Sequence, residues 1–321
     1  MTPYNGIAIQ IMDEVNKVVI GKRVIIGKVL TAILAKGHIL LEDHPGVGKT
    51  TLALAFSKAM DLEHHRLQFT PDVLPTDVVG FHLLNKDGDS YQYKPGAIIC
   101  NLFLADEINR TSSKTQSALL EVMEEGKVTV DSVTREVPKP FVVMATQNPI
   151  GSIGTQMLPE SQLDRFMVRL TMGYPDIKSE IGILKERQSS NPLENVVQIA
   201  RKEDILAMQG LVEEVFIHDS IYEYITLLVQ QTRENPLVDL GVSPRGSLAI
   251  MNMVKATAFL SKRDYVIPAD VQYIFKDVAA HRMILKPKAR VNNVTVDNLL
   301  EDILRTIKAP RIITKETYAN V

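Results

Sequence analysis

A glycine-containing loop between an apolar run and a predicted helix is the feature that most constrains the fold of this chain. The loop occupies residues 43–50 (DHPGVGKT), between the apolar residues 38–41 and a helix predicted over 49–60. In a P-loop, which has this strand–loop–helix context, backbone N–H groups point at phosphate oxygens. The sequence therefore predicts a nucleotide site at which Lys49 contacts the β- and γ-phosphates and the Thr50 hydroxyl ligates Mg²⁺.

Asp43 departs from the P-loop pattern, which has glycine at this position. An acidic side chain turned toward phosphates would be repelled, so we expect it to point away, and we expect Asp43→Gly to tighten nucleotide binding modestly. The alternative is that Asp43 accepts hydrogen bonds from loop N–H groups, in which case glycine would weaken binding. A chance Gly-Lys-Thr turn is the alternative for the loop as a whole, and the flanking strand and helix argue against it.

Two further apolar segments end in polar residues that would complete a nucleotide site. Residues 101–105 predict a buried strand, which Asp106 and Glu107 follow. Asp106 would hold Mg²⁺ through water, and Glu107 would act as the general base; taken alone, such an acidic pair also fits a surface turn. Residues 141–145 predict another strand, beyond which Asn148 could position water or touch the γ-phosphate, with a simple Asn-Pro turn as the alternative.

Short apolar strands alternate with helices in the first part of the chain, and helices dominate the rest. This pattern predicts an α/β nucleotide-binding domain, a parallel sheet flanked by helices, over residues 1–174 and an all-α domain over residues 175–321. The boundary is placed near Pro175 because proline disfavours continuing regular structure. Two polar segments, 74–97 and 127–137, predict β-hairpin insertions, the first with an Asp-Gly turn at residues 87–88.

Net charge and composition indicate which kinds of partner the protein binds and in which compartment we expect it. The formal net charge is −2 and no stripe of basic and aromatic residues occurs, which argues against nucleic acid as a partner. The single cysteine, Cys100, rules out an intramolecular disulfide and lies in an apolar run, which predicts a core position. The N-terminus lacks a signal-peptide pattern and no apolar run reaches membrane-spanning length, so we expect a cytoplasmic protein.

Taken together, these motifs resemble the MoxR family of AAA+ ATPases. The resemblance covers nearly the whole chain in the right order, and its most specific parts are DEINR and QLDRF. The segments that carry it are 45–50 (PGVGKT), 106–110 (DEINR), 114–121 (KTQSALLE), 145–149 (ATQNP), 158–166 (LPESQLDRF), 173–175 (GYP) and 243–245 (SPR).

The resemblance implies roles that spacing alone does not assign. Asn148 resembles the sensor-1 residue, and Arg165 resembles the arginine finger that reaches the γ-phosphate of a neighbouring subunit. Arg245 resembles the sensor-2 arginine. From the residues alone, a salt bridge to Asp164 or Glu160 remains open for Arg165, and a solvated helix position remains open for Arg245.

Local sequence supports the assignment of Arg245, and a further segment resembles an adenine-binding one. Ser243 is a good N-cap and Pro244 suits the first helical position, which places Arg245 in the first turn of a helix. Residues 19–21 (VIG) resemble the segment that lies against adenine, although an apolar helix end would look the same. The predicted nucleotide-binding residues are Val19, Ile20, Pro45, Gly46, Val47, Gly48, Lys49, Thr50 and Thr51, with Thr50 and Asp106 holding the metal.

The resemblance also implies an assembly and a task. We expect a ring, a hexamer, with ATP at its subunit interfaces, which remodels or matures a protein client, often with a von Willebrand factor A-domain partner. The two insertions resemble hairpins that face the ring centre, and Phe81, Tyr91 and Tyr93 are candidate client contacts, with cross-strand packing as the alternative. The competing functions are a nucleic-acid or chelatase-type motor and an ATP-binding scaffold with little turnover.

Overall fold

The computed structural model describes residues 3–85, 90–148, 158–187 and 192–311. The chain divides into two compact units, residues 2–209 and 210–321. The first unit therefore extends beyond the change of secondary structure at Pro175, and the functional boundary predicted there stays a prediction. Among the described residues, no helix has both the length and the apolar character needed to cross a bilayer.

The first unit contains a parallel sheet and two antiparallel hairpins. Its strands are β1 (Ile39–Glu42), β2 (His64–Gln68), β3 (Gly80–Leu84), β4 (Tyr91–Pro95), β5 (Leu102–Asp106), β6 (Lys127–Val130), β7 (Val133–Glu136), β8 (Val142–Gln147) and β9 (Val168–Leu170). Five strands form one sheet in the order β2-β5-β8-β1-β9, and every neighbouring pair is parallel. All residues of β5 and β8 are buried, as expected for central strands covered on both faces.

Helices flank the strands of the sheet in sequence. They are α1 (Pro3–Val18), α2 (Arg23–Leu34), α3 (Lys49–Ala59), α4 (Pro75–Val79), α5 (Ser113–Glu125), α6 (Glu160–Leu163) and α7 (Ile177–Arg187), and α8 (Lys202–Glu213) runs across the division between the units. The sequence patterns predict these helices except the short α4 and α6. The core under α5 contains Phe103, Val143, Phe166 and the predicted core residue Cys100, all fully buried. Burial raises the pKa of the Cys100 thiol to about 12, so this cysteine is an apolar filler. The predicted α/β class is confirmed.

The two predicted insertions form hairpins. Strands β3 and β4 pair from Gly80–Pro95 to Leu84–Tyr91, and β6 pairs with β7. Asp131 and Ser132 connect β6 to β7 with φ angles of 49° and 65°, the conformation that a two-residue hairpin turn requires. The turn predicted at residues 87–88 lies outside the described residues.

The second unit is mainly helical, as predicted. It contains α9 (Asp219–Glu234), α10 (Pro244–Leu260), α11 (Pro268–Ala279), α12 (Pro287–Val291) and α13 (Val296–Thr306). The sequence patterns do not predict α13, which begins after Thr295, whose hydroxyl accepts a hydrogen bond from Asn298 N at 3.1 Å. They also miss a short antiparallel pair, β10 (Val238–Leu240) and β11 (Ile284–Leu285), because strands of this length leave almost no periodic signal.

Candidate functional site

The carboxyl ends of three neighbouring strands bring the predicted site residues together. β1 leads into the P-loop, β5 ends at Asp106, and β8 ends one residue before Asn148. Because β5, β8 and β1 are adjacent and parallel, these ends lie side by side at one edge of the sheet. That edge is where ligands bind in open parallel sheets.

The P-loop backbone is shaped for a phosphate. Gly46 and Gly48 have φ angles of 84° and 98°, a region that side chains disfavour. A Cβ on Gly46 would meet no atom within 4 Å apart from its chain neighbours, so the space beside this glycine is open. Gly48 directly precedes α3, whose first N–H groups face the same loop. This cradle fits a phosphate group.

Lys49 points into the loop. The side chain is buried, and its Nζ donates to Asp43 O at 2.6 Å and to His44 O at 3.3 Å. Burial lowers the pKa of Lys49, while the charges of Asp43, Asp106 and Glu107 act in the opposite direction. The ammonium group is therefore held among acidic residues by loop carbonyl groups that a bound phosphate could replace.

Asp43 accepts hydrogen bonds from backbone N–H groups, which is the alternative stated above for this residue. Its Oδ1 accepts a hydrogen bond from His44 N at 2.8 Å, and its Oδ2 accepts one from Gly173 N at 2.6 Å. The side chain is buried, so the two backbone N–H groups donate to Asp43 where they would otherwise donate to water. Asp43 thereby fixes the start of the P-loop to the segment after β9, and we no longer expect glycine to be an improvement here.

Thr146 connects the two acidic residues and was not predicted. Its hydroxyl donates to Asp106 Oδ1 at 2.6 Å and accepts from Glu107 N at 2.9 Å. Asp106 Oδ2 accepts from Arg66 on β2 at 2.7 Å. Both oxygens of Asp106 are thus oriented by residues of neighbouring strands. These partners lie 40 residues from Asp106 in the sequence, so local sequence patterns do not predict the contacts.

Glu107 has an unusual backbone and two side-chain partners. Its φ and ψ are 57° and 48°, left-handed values that are rare outside glycine and occur often at functional sites. Oε1 accepts from Asn148 Nδ2 at 3.2 Å, and Oε2 pairs with Arg110 at 2.8 Å. Asn148 Oδ1 is buried and accepts no hydrogen bond from any described residue, so it can accept one from a water or a ligand.

Arg110 is a second residue that sequence reasoning missed. It lies in the DEINR motif, three residues after Glu107, and a short 3-10 turn over Ile108–Arg110 brings the two side chains together. The spacing of Glu107 and Arg110 could have predicted this ion pair, because side chains three residues apart meet on a helical turn.

A cleft beside the P-loop could hold the base and sugar of a nucleotide. It has a volume of about 220 Å³ and includes the predicted residues Val19, Ile20, Gly46, Val47, Gly48 and Thr51. Ile183, Pro192 and Leu193 add apolar surface, and Glu186 and Lys22 are the charged residues among its described lining. A mostly apolar wall with a few polar groups is typical of small-molecule sites.

The two arginines assigned by resemblance lie in different units. Arg165 follows α6 in the first unit, is partly exposed, and pairs with Glu124 on α5 at 3.1 Å between Nε and Oε2. Arg245 lies in the first turn of α10 in the second unit. The predicted N-cap is confirmed, since Ser243 Oγ accepts from Gly246 N at 3.1 Å. Their functional roles stay predictions.

Comparisons with known proteins agree with this geometry. Residues 38–168 match the family described as "ATPase family associated with various cellular activities (AAA)", and residues 230–303 match the AAA lid domain. The uncharacterized protein YeaC of Bacillus subtilis is 49% identical over 93% of each chain. Chaperone MoxR1 of Mycobacterium tuberculosis is 36% identical over 93% of this chain and 81% of its own.

A solved structure has the same fold over almost the whole chain. The crystal structure of a proposed ATPase from Cytophaga hutchinsonii is 37% identical, with a TM-score of 0.89 and 96% of each chain covered. A full-length MCM homologue from Methanopyrus kandleri, 14% identical with a TM-score of 0.57, shares the fold alone.

Proposed function

Because this chain belongs to the MoxR family of AAA+ ATPases, we propose that it binds ATP with Mg²⁺ and uses hydrolysis to remodel a protein client. The observation that carries the proposal is the convergence of Lys49, Asp106, Glu107 and Asn148 at one sheet edge beside an open phosphate cradle. The client function draws on the chaperone named among the relatives.

The phosphates of ATP would bind to the P-loop backbone. Lys49 would exchange its carbonyl partners for β- and γ-phosphate oxygens, which hold a charge-assisted bond more strongly. The Thr50 hydroxyl and the Asp106 carboxylate would hold Mg²⁺. When bound, this ion would neutralise part of the negative charge of the phosphates. Thr146 keeps the Asp106 carboxylate oriented for this task.

Glu107 would orient and deprotonate the attacking water. Its carboxylate is held by Asn148 and Arg110, and its backbone has left-handed angles directly after the end of β5. Asn148 Oδ1 would accept a hydrogen bond from the same water, because this buried atom otherwise has no donor among the described residues. The two side chains would thus hold one water between them.

Arg165 would act on the γ-phosphate of a neighbouring subunit in a ring, which we propose to be a hexamer. The guanidinium is partly exposed and keeps an ion pair with Glu124, so it can be released to a stronger anion. Arg245 would sense the γ-phosphate from the helical unit. A von Willebrand factor A-domain protein remains a proposed partner.

The β3–β4 hairpin would contact the client. Phe81 and Leu83 share one face and are 44% and 51% exposed, and Tyr91 is 73% exposed. Tyr93 is different, because its hydroxyl donates to Val79 O at 2.6 Å and its ring packs on Arg135. We therefore keep Phe81 and Tyr91 as client contacts and assign Tyr93 to the hairpin structure.

Isothermal titration of Lys49→Ala tests the nucleotide site. Loss of this charge-assisted contact should weaken binding by roughly 1.5–3 kcal/mol, about a factor of 10 to 150. Lys127→Ala is the matched control, since this hairpin lysine lies 3.9 Å from Glu136 and away from the P-loop. An unchanged dissociation constant in Lys49→Ala would rule out the P-loop assignment.

A further inference from the structure

Asp106 has an arginine partner that the proposed mechanism does not use. Arg66 donates from Nε and from Nη2 to Asp106 Oδ2, at 3.2 and 2.7 Å. Thr146 donates to the other oxygen, Oδ1, at 2.6 Å. The Asp106 side chain is only 11% exposed, so these two residues supply most of its hydrogen bonding.

Arg66 is oriented by a neighbouring side chain, yet it is exposed enough to move away from Asp106. It lies on the edge strand β2, and its Nη2 also donates to Gln68 Oε1 at 3.2 Å, which orients the guanidinium. The side chain is 49% exposed, and β2 is an edge strand, so the guanidinium can move outward into solvent.

A guanidinium and a hydrated Mg²⁺ need the same carboxylate. Oδ2 already accepts two hydrogen bonds from Arg66, and a carboxylate oxygen has about two lone-pair sites. The positive charge of Arg66 also repels a second cation at short range. Binding of Mg²⁺ at Asp106 thus requires Arg66 to give up or share its partner.

We propose that Arg66 is a positioning residue that keeps Asp106 charge-paired in the nucleotide-free protein and competes with Mg²⁺ when nucleotide binds. This inference rests on the proposed function. Its consequence is that the guanidinium reduces the gain in nucleotide affinity that Mg²⁺ provides. Removal of the guanidinium should enlarge that gain, and it should also destabilise the nucleotide-free protein because Asp106 loses its arginine partner and keeps only Thr146.

The test measures binding of a non-hydrolysable ATP analogue in excess Mg²⁺ and in excess EDTA. The ratio of the two dissociation constants gives the gain due to Mg²⁺. We expect this ratio to rise about tenfold in Arg66→Gln and less in Arg66→Lys, which keeps a charge but loses the planar fork. The melting temperature of nucleotide-free Arg66→Gln should fall.

Arg263→Gln is the matched control. Arg263 forms a bidentate salt bridge with Asp270 in the second unit, from Nη1 to Oδ2 at 2.9 Å and from Nη2 to Oδ1 at 2.6 Å. This variant should also melt earlier and should leave the Mg²⁺ ratio unchanged. The comparison separates general destabilisation from competition for Asp106.

Two outcomes contradict the inference in distinguishable ways. A ratio in Arg66→Gln that stays within twofold of wild type, or falls, would show that Arg66 only stabilises the fold. Absence of analogue binding in the wild type would overturn the proposed function and this inference with it. If Arg66→Gln does not fold, the ratio in Arg66→Lys decides, and it must rise above the wild-type value.

Discussion

At the scale of single residues, each acidic side chain near the P-loop is held by partners from another strand or loop. Asp43 is bonded to Gly173 N, Asp106 to Thr146 and Arg66, and Glu107 to Asn148. The sequence places these acids at one sheet edge, because each lies at or just after the end of an apolar strand. Their partners could not, because Thr146 and Arg66 lie 40 residues from Asp106 in the sequence.

Asp43→Gly should weaken nucleotide binding. The variant loses acceptors for His44 N and Gly173 N, and the loop gains conformational freedom that binding must remove. We expect a loss of about 1–2 kcal/mol in titration calorimetry. Asp43→Asn keeps one acceptor oxygen and should lose less. Tighter binding in Asp43→Gly would instead mean that charge repulsion outweighs the bracing.

Thr146→Val should lower both stability and turnover. Valine has the shape of threonine but leaves Asp106 Oδ1 and Glu107 N without their partner in a fully buried position, at a cost of about 1–3 kcal/mol each. Chemical denaturation and steady-state ATPase assays measure the two effects. Thr146→Ser keeps the hydroxyl and should retain most activity; equal loss in Ser and Val would show that the hydrogen bonds do not matter.

At the scale of elements, the parallel sheet was predictable and the contacts between hairpins were not. Fully apolar runs identify β5 and β8 as central strands, whereas β2 alternates between exposed and half-buried residues and gives a weaker signal. The hairpins β3–β4 and β6–β7 are joined by His82, which donates from Nδ1 to Asp131 at 2.6 Å. No periodicity encodes that contact across 49 residues.

The two hairpins should be energetically coupled through Arg135 and Tyr93. The guanidinium carbon of Arg135 lies 3.9 Å from the centre of the Tyr93 ring. A double-mutant cycle with Arg135→Ala and Tyr93→Leu should give a coupling energy of about 0.5–2 kcal/mol in unfolding experiments. Tyr91→Leu serves as the control on the same strand, because Tyr91 is mostly exposed, and its cycle with Arg135→Ala should give no coupling. A zero coupling for Tyr93 would mean that the contact between Arg135 and Tyr93 does not couple the hairpins.

At the scale of the whole molecule, the sequence predicted an α/β unit followed by a helical unit, and the structure contains both. The two compact units divide after residue 209, since the helices directly after Pro175 belong to the first unit, and the functional boundary near Pro175 stays a prediction. The oligomeric state also cannot be predicted from the periodicity of the sequence. Only the resemblance suggests a ring, and the chemistry proposed for Arg165 depends on it.

Mixing two inactive variants tests the ring. Arg165→Ala should spare ATP binding and lower turnover steeply, since arginine fingers contribute about 10³–10⁵ in rate. Glu107→Gln should be inactive for a different reason. In mixed rings, some interfaces pair an intact Glu107 with an intact Arg165, so activity should return at concentrations that allow assembly. A mixture that co-assembles and stays inactive would show that Arg165 does not act between subunits.

The most direct test of the central claim, ATP hydrolysis with Glu107 as the base, is a paired measurement of ATP affinity and turnover in Glu107→Gln. The amide keeps the shape and a hydrogen-bonding group toward Asn148 but cannot take a proton, so we predict an affinity within about threefold of wild type and a turnover lower by about 10²–10⁴. Turnover within about twofold of wild type would contradict the account, because Glu107 would then not be the base.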